Sequence, residues 1–132
     1  MVLADHLTDD EQLTTNFRLS EFRCPCCGDV IRAAALRLAQ RLQPIRDQYG
    51  PIHIWSGFRC PKQNMRVKGA TFSQHLVGLA ADIVCSTDHD RFELVKLLLE
   101  HDFKRIGIAA NYIHADIGTH TGPVIWTYYQ SR

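Results

Sequence analysis

Apolar residues recur at helical spacing from Ile31 through Ala35, Leu38, Leu42 and Ile45 to Tyr49. Asp29 is the natural N-cap of this helix, and Gly50 stands just beyond as its stop. Arg32, Arg37, Arg41 and Arg46 fall on its solvated side, and Pro44 predicts a kink or restart because it breaks the hydrogen-bond ladder. The period then changes. Residues 51–55 alternate and are β-branched, which predicts a strand with Ile52 and Ile54 inward and His53 at the surface. Pro61 opens a short helix carrying Asn64, and residues 79–84 form the next strand. Thr87 or Asp88 caps a helix running to about Glu100, with Phe92, Val95, Leu98 and Leu99 as its buried stripe. Strands follow at 105–108 and around His114, and Val124 to Trp126 adds an edge strand after a loop at 118–123. Residues 1–16 are polar and read as an arm or a short helix capped by Thr8; Phe17, Leu19 and Phe22 are the first apolar anchors. The order of elements implies one α+β domain spanning 1–132, with helices on one face of a mainly antiparallel sheet.

Composition narrows the function. A chain of 132 residues with 45% hydrophobic and 22% charged residues buries a core without covalent staples. The formal net charge of +1 offers no basic face for nucleic acid. No apolar run approaches the roughly 18 to 20 residues that span a bilayer. The first residues lack a basic segment followed by an apolar one, so synthesis without a secretory signal is expected. In such a chain the five cysteines are expected as free thiols or metal ligands. Cys24-Pro25-Cys26-Cys27-Gly28 is a tight turn whose Cys-x-x-Cys pair has the form of half a zinc knuckle. The other half would come from Cys60, Cys85 or a histidine, none of which forms a second close pair. The segment therefore reads as a turn with partly buried thiols.

The chemistry concentrates in two stretches. Ser73-Gln74-His75-Leu76-Val77-Gly78-Leu79-Ala80-Ala81-Asp82 offers a histidine and a carboxylate among small and apolar residues, and Tyr112-Ile113-His114-Ala115-Asp116 offers another histidine. Two imidazoles and a carboxylate are a common catalytic zinc set, with the fourth position left to water. Strand alternation puts Gly78, Ala80 and Asp82 on one face, and Tyr112, His114 and Asp116 on one face of the second segment. A carboxylate within an apolar strand needs a cation, and the motif around Asp82 contains no arginine or lysine.

The pattern Ser-x-His-x-x-Gly-x-Ala-x-Asp resembles the motif of the zinc D-Ala-D-Ala carboxypeptidases and their relatives, which include phage peptidoglycan endopeptidases and dipeptidases of vancomycin resistance. The resemblance extends to Trp55-Ser56-Gly57-Phe58-Arg59-Cys60-Pro61 with Asn64, and to residues 17–22. It implies the hedgehog/D-Ala-D-Ala-peptidase fold and one Zn²⁺ per chain held by His75, Asp82 and His114. It also implies that Arg59 stabilises a developing oxyanion and that Ser73 binds the terminal carboxylate or backbone of the substrate. Some branches place a carboxylate base three residues before the last histidine; here that residue is Asn111, which has no basic form. Asp116 is the carboxylate that remains, as general base or as a group that orients His114.

These readings imply a zinc peptidase acting on the stem peptides of bacterial peptidoglycan, as a carboxypeptidase or a lysin-like endopeptidase. A monomer is expected, working at the cell wall after release or as a phage-associated component. The competing classes are a zinc-stabilised binding or assembly module on the same fold, and a cysteine-nucleophile enzyme using Cys60 or Cys85.

Overall fold

The computed structural model describes residues 10–128. Their centre is a five-stranded sheet in the order β1 (Ile54–Ser56), β2 (Ala80–Val84), β4 (Tyr112–Asp116), β3 (Arg105–Ile108), β5 (Val124–Thr127). Neighbours run antiparallel except β3 and β5, which are parallel. Three α-helices accompany it: α1 (Arg32–Tyr49), α2 (Pro61–Arg66) and α3 (Asp88–Glu100). The architecture is mixed α+β.

The two faces of the sheet have different tasks. Ala81 and Ile83 of β2, Ile106 of β3, and Ile113 and Ala115 of β4 enter the core against Leu38, Leu42 and Ile45 of α1 and Leu94 and Leu98 of α3. Phe17, Leu19 and Phe22 close that core from the N-terminal side. Alternation sends Asp82, His114 and Asp116 to the opposite face. Pairing then aligns one row directly across the strands: Ser56, Asp82, His114, Gly107 and Trp126. The adjacent row holds Ala80, Asp116, Arg105 and Val124.

Several local expectations are corrected. Helix α1 begins at Arg32, after Ile31, and not at Asp29, whose carbonyl instead accepts the Cys24 N–H at 2.8 Å and closes the cysteine turn. It continues through Pro44 as one helix without a restart, with the fully buried Leu42 and Ile45 on either side of the proline. The first strand is displaced to Ile54–Ser56. Gly78 is not on β2; it ends a 3₁₀ turn, Gln74–Val77, with a left-handed φ of 76°. The stripe of α3 is Leu94, Leu97 and Leu98, whereas Phe92 and Leu99 are 65% and 50% exposed. That helix carries apolar residues on more than one side, and docking against α1 and β4 selects the phase. Thr87 does cap it, accepting the Asp90 N–H at 3.1 Å. Residues 10–16 contain no helix; Gln12 makes an isolated bridge to Arg18. The expected cap Thr8 lies outside the described residues.

Candidate metal centre and active site

Three elements deliver the ligand set. Asp82 and His114 are paired neighbours on β2 and β4. His75 comes from the 3₁₀ turn, where Ser73 Oγ accepts the His75 N–H at 3.2 Å and caps the turn. His75 Nε2 lies 3.1 Å from Asp82 Oδ1 and 3.3 Å from His114 Nδ1, and His114 Nδ1 lies 3.0 Å from the same Asp82 oxygen. Tetrahedral zinc with Zn–N bonds of about 2.0–2.1 Å has ligand atoms about 3.3 Å apart. The observed spacings are close to that edge. All three residues are buried. A zinc ion fits this donor set by number, chemistry and spacing.

The surrounding contacts fix which ring atom faces the centre. His75 Nδ1 donates to the Gly57 carbonyl at 2.6 Å, which leaves Nε2 for the metal position. His114 Nε2 donates to Asp116 Oδ2 at 2.7 Å, which turns Nδ1 inward. Such outer contacts set tautomer and orientation in metal sites. Asp116 is itself tied down: Oδ1 accepts from Arg105 Nε at 2.8 Å and from the Gly118 N–H at 3.0 Å. Its carboxylate therefore meets the outer edge of the His114 ring, away from the edge that faces His75 and Asp82.

The fold also supplies the cation that the sequence around Asp82 lacks. Arg59 Nη2 lies 3.0 Å from Asp82 Oδ2, leaving Oδ1 for the histidines. The guanidinium is held in addition by Ser56 Oγ at 3.2 Å and Asn64 Oδ1 at 3.3 Å. Asn64 is buried and donates to the Ala70 carbonyl. A Cβ on Gly69 would come within 2.1 Å of Asn64 Oδ1, so only glycine lets this loop close over the arginine.

Charge is distributed unevenly without a metal. Burial alone would raise the Asp82 pKa, but hydrogen bonds from His114 and His75 outweigh it and hold the carboxyl well below the usual range. Burial lowers the His75 pKa. At His114 burial also acts downward, but the Asp116 and Asp82 carboxylates on its two nitrogens reverse the sign and raise it.

A cleft of about 580 Å³ opens over the set, with Arg59, Ser73, His120, Trp126 and Tyr128 in its walls. Trp126 packs beside the His114 ring at 5.2 Å between centroids, and Tyr128 and Tyr112 continue the aromatic wall. Burial pushes the Tyr128 hydroxyl up to about 12 and also raises that of Tyr112, so both are hydrogen-bond donors at neutral pH. A smaller groove of about 280 Å³ lies between Trp55, Asn111 and Tyr128 and contains none of the three ligands.

A family model described as Peptidase M15 matches residues 15–116, a span that takes in Arg59, Ser73, the His75/Asp82/His114 set and Asp116. The chain belongs to this family. No curated protein matches the sequence. Membership in the M15 peptidases, together with the candidate metal group, suggests a zinc metallopeptidase. The M15 site contains three participants that the sequence reading did not assign. Arg105 is one; only the pairing of β3 with β4 brings it opposite Asp116. The Gly57 carbonyl is another, and a backbone oxygen leaves no trace in side-chain pattern. Trp126 is the third; its part depends on the register of the edge strand.

Proposed function

We propose that the chain is a zinc peptidase that hydrolyses peptide bonds in the stem peptides of bacterial peptidoglycan, with zinc held by His75, Asp82 and His114. The observation that carries this reading is the set of three buried donor atoms, 3.0–3.3 Å apart, beneath a cleft in an M15 family member. Bound there, zinc supplies Lewis acidity and a water that ionises near neutral pH. The residues of the chain do the rest. Three of the five N–H donors of Arg59 bond within the protein, to Ser56, Asn64 and Asp82, and the last of these holds the Asp82 carboxylate in place. Its two remaining N–H groups serve the oxygen of a scissile carbonyl as charge builds on it. Ser73 Oγ accepts a backbone N–H, so its own O–H is left to donate to a substrate carboxylate or carbonyl. Asp116 positions His114 through Nε2. Proton removal falls to His120, whose imidazole stands in the cleft wall.

The same reading takes the sheet and helices as the hedgehog/D-Ala-D-Ala-peptidase fold, and the protein as a monomer that meets its substrate at the cell wall, as a lysin or a phage-associated component. The test is digestion of purified peptidoglycan by the zinc-loaded protein, with products identified by mass and metal counted in parallel. Zinc-dependent release of D-Ala or stem-peptide fragments is expected. His75→Ala, Asp82→Ala and His114→Ala should each lose one equivalent of zinc together with activity. Wild-type metal content in all three variants overturns the ligand assignment. A protein that binds zinc there and cleaves no peptide bond is instead a zinc-stabilised binding or assembly module.

A further inference from the structure

A second group of donors lies outside this cleft. Cys24 and Cys27 project from the tight turn at 24–28, and Cys60 stands at the N-cap of α2; their three sulfurs lie within 4.8 Å of one another. The turn is built to bring the first two together. Gly28 takes a left-handed φ of 77°, its N–H bonds to the Cys24 carbonyl at 2.8 Å, and the Cys24 N–H bonds to the Asp29 carbonyl. Cys24 Sγ and Cys60 Sγ are 3.7 Å apart. A disulfide needs about 2.05 Å, whereas two thiolates on one tetrahedral zinc, with Zn–S bonds of about 2.3 Å, stand about 3.8 Å apart. Backbone N–H groups point at the sulfurs as well: Cys60 N–H at Cys24 Sγ and Gln63 N–H at Cys60 Sγ, each 3.4 Å. Such donors favour thiolates over thiols. Cys26 belongs to the same turn, between Cys24 and Cys27 in sequence, and stands outside the group of three. All five cysteines of the chain are free, and Cys85 belongs to the other core cluster.

We propose that Cys24, Cys27 and Cys60, completed by Cys26, form a structural zinc site separate from the His75/Asp82/His114 centre. A site of four thiolates is closed and has no position for a substrate, so its role is architectural. It clamps the 24–28 turn to the segment that prepares the other centre. Cys60 follows Arg59, which grips Asp82, and comes three residues after Gly57, whose carbonyl orients His75. The linkage lies across a sequence gap of 36 residues, where closing a loop has a large effect on the unfolded chain. The isolated spacing of Cys60 hides this in the sequence, because no second close pair announces it.

Cobalt substitution tests the proposal apart from the peptidase reading, because Co²⁺ bound by thiolates absorbs in the near ultraviolet and Co²⁺ bound by His75, Asp82 and His114 does not. The chain is purified under reductant, and a His75→Ala/His114→Ala variant is prepared alongside. Two metal ions per wild-type chain are expected, and one in the double variant, which keeps the thiolate band. Cys60→Ser should remove that band and one equivalent of metal, while Cys85→Ser keeps both. If Cys60→Ser fails to fold, the band in the double variant still decides. A double variant that binds no metal and shows no thiolate absorption overturns the site, as does a metal-free protein with a Cys24–Cys60 disulfide in peptide mapping.

Discussion

Asp116 shows how much a single residue depends on what its neighbours leave open. Strand alternation puts it on the face of His114, and that was legible from the sequence. Which ring nitrogen it meets was not, because the answer depends on Arg105 and the Gly118 N–H pulling the other carboxylate oxygen outward. Asp116→Asn should therefore loosen His114 more than it removes a base. The expected result is a loss of about 10- to 100-fold in zinc affinity, with turnover substantially restored by excess zinc. His120→Ala should show the opposite split: unchanged metal affinity and a fall in turnover of about 10²- to 10⁴-fold. Titrating zinc against both variants while measuring zinc-saturated turnover separates the roles. A zinc-saturated Asp116→Asn that stays slow, beside a fast His120→Ala, would return the base to Asp116. The cation of Asp82 teaches the same lesson. Arg59 is remote in sequence, so local pattern left the carboxylate without a partner that the fold supplies.

Among the elements, α1 and the central strands were readable because their apolar periods are clear. Where an element carries apolar residues on several sides, the period underdetermines the phase. Helix α3 is such a case, and the structure makes a quantitative distinction there. Leu94 is fully buried, and Leu94→Ala should cost about 2–5 kcal/mol. Phe92 is 65% exposed, and Phe92→Ala should stay within about 0.5 kcal/mol of wild type. Denaturant unfolding of the two variants checks this, and equal losses would mean the helix is rotated from the phase described. On the sheet, the informative residue is Gly107. It stands between His114 and Trp126 in the row across the strands, and a Cβ there would lie 2.7 Å from the Trp126 ring and 2.8 Å from that of Tyr128. Glycine thus lets the aromatic wall lie over β3 and reach His114. Gly107→Ala should cost about 1–3 kcal/mol through overpacking. It should also raise KM more than it lowers kcat, since it displaces the cleft wall and leaves the three ligands in place. A variant with wild-type KM would show that the aromatic wall does not touch substrate.

At the scale of the whole molecule, metal and fold are coupled. The three donors come from β2, β4 and the 3₁₀ turn, so a cation ties the central strands to the segment carrying Ser73. A ligand that binds only the folded state adds about 2.7 kcal/mol at a hundredfold excess over its Kd. Chelation should lower Tm by several degrees, since each kcal/mol is worth a few degrees for a chain of this size. The pH dependence follows from His114. Its pKa is raised in the metal-free fold, because Asp116 and Asp82 outweigh the downward effect of burial. Above its unfolded pKa and up to its folded one, His114 holds a proton that stabilises the metal-free protein and must leave before zinc binds. That stabilisation is fully present below the ordinary imidazole value of about 6.5 and is lost as pH rises through the raised one. The Tm difference between zinc-loaded and chelated protein should therefore widen as pH rises towards that raised value and level off above it. To keep the thiol cluster from contributing, the measurement is made in a Cys60→Ser background, or by direct zinc titration if that variant does not fold. Asp116→Asn supplies the internal control. Without the carboxylate on Nε2, the His114 pKa drops, and the widening should move to lower pH while zinc affinity at high pH stays reduced. A pH profile identical in the two proteins would mean that His114 is not the group with which zinc competes, and that Asp116 acts on the centre by some route other than this imidazole.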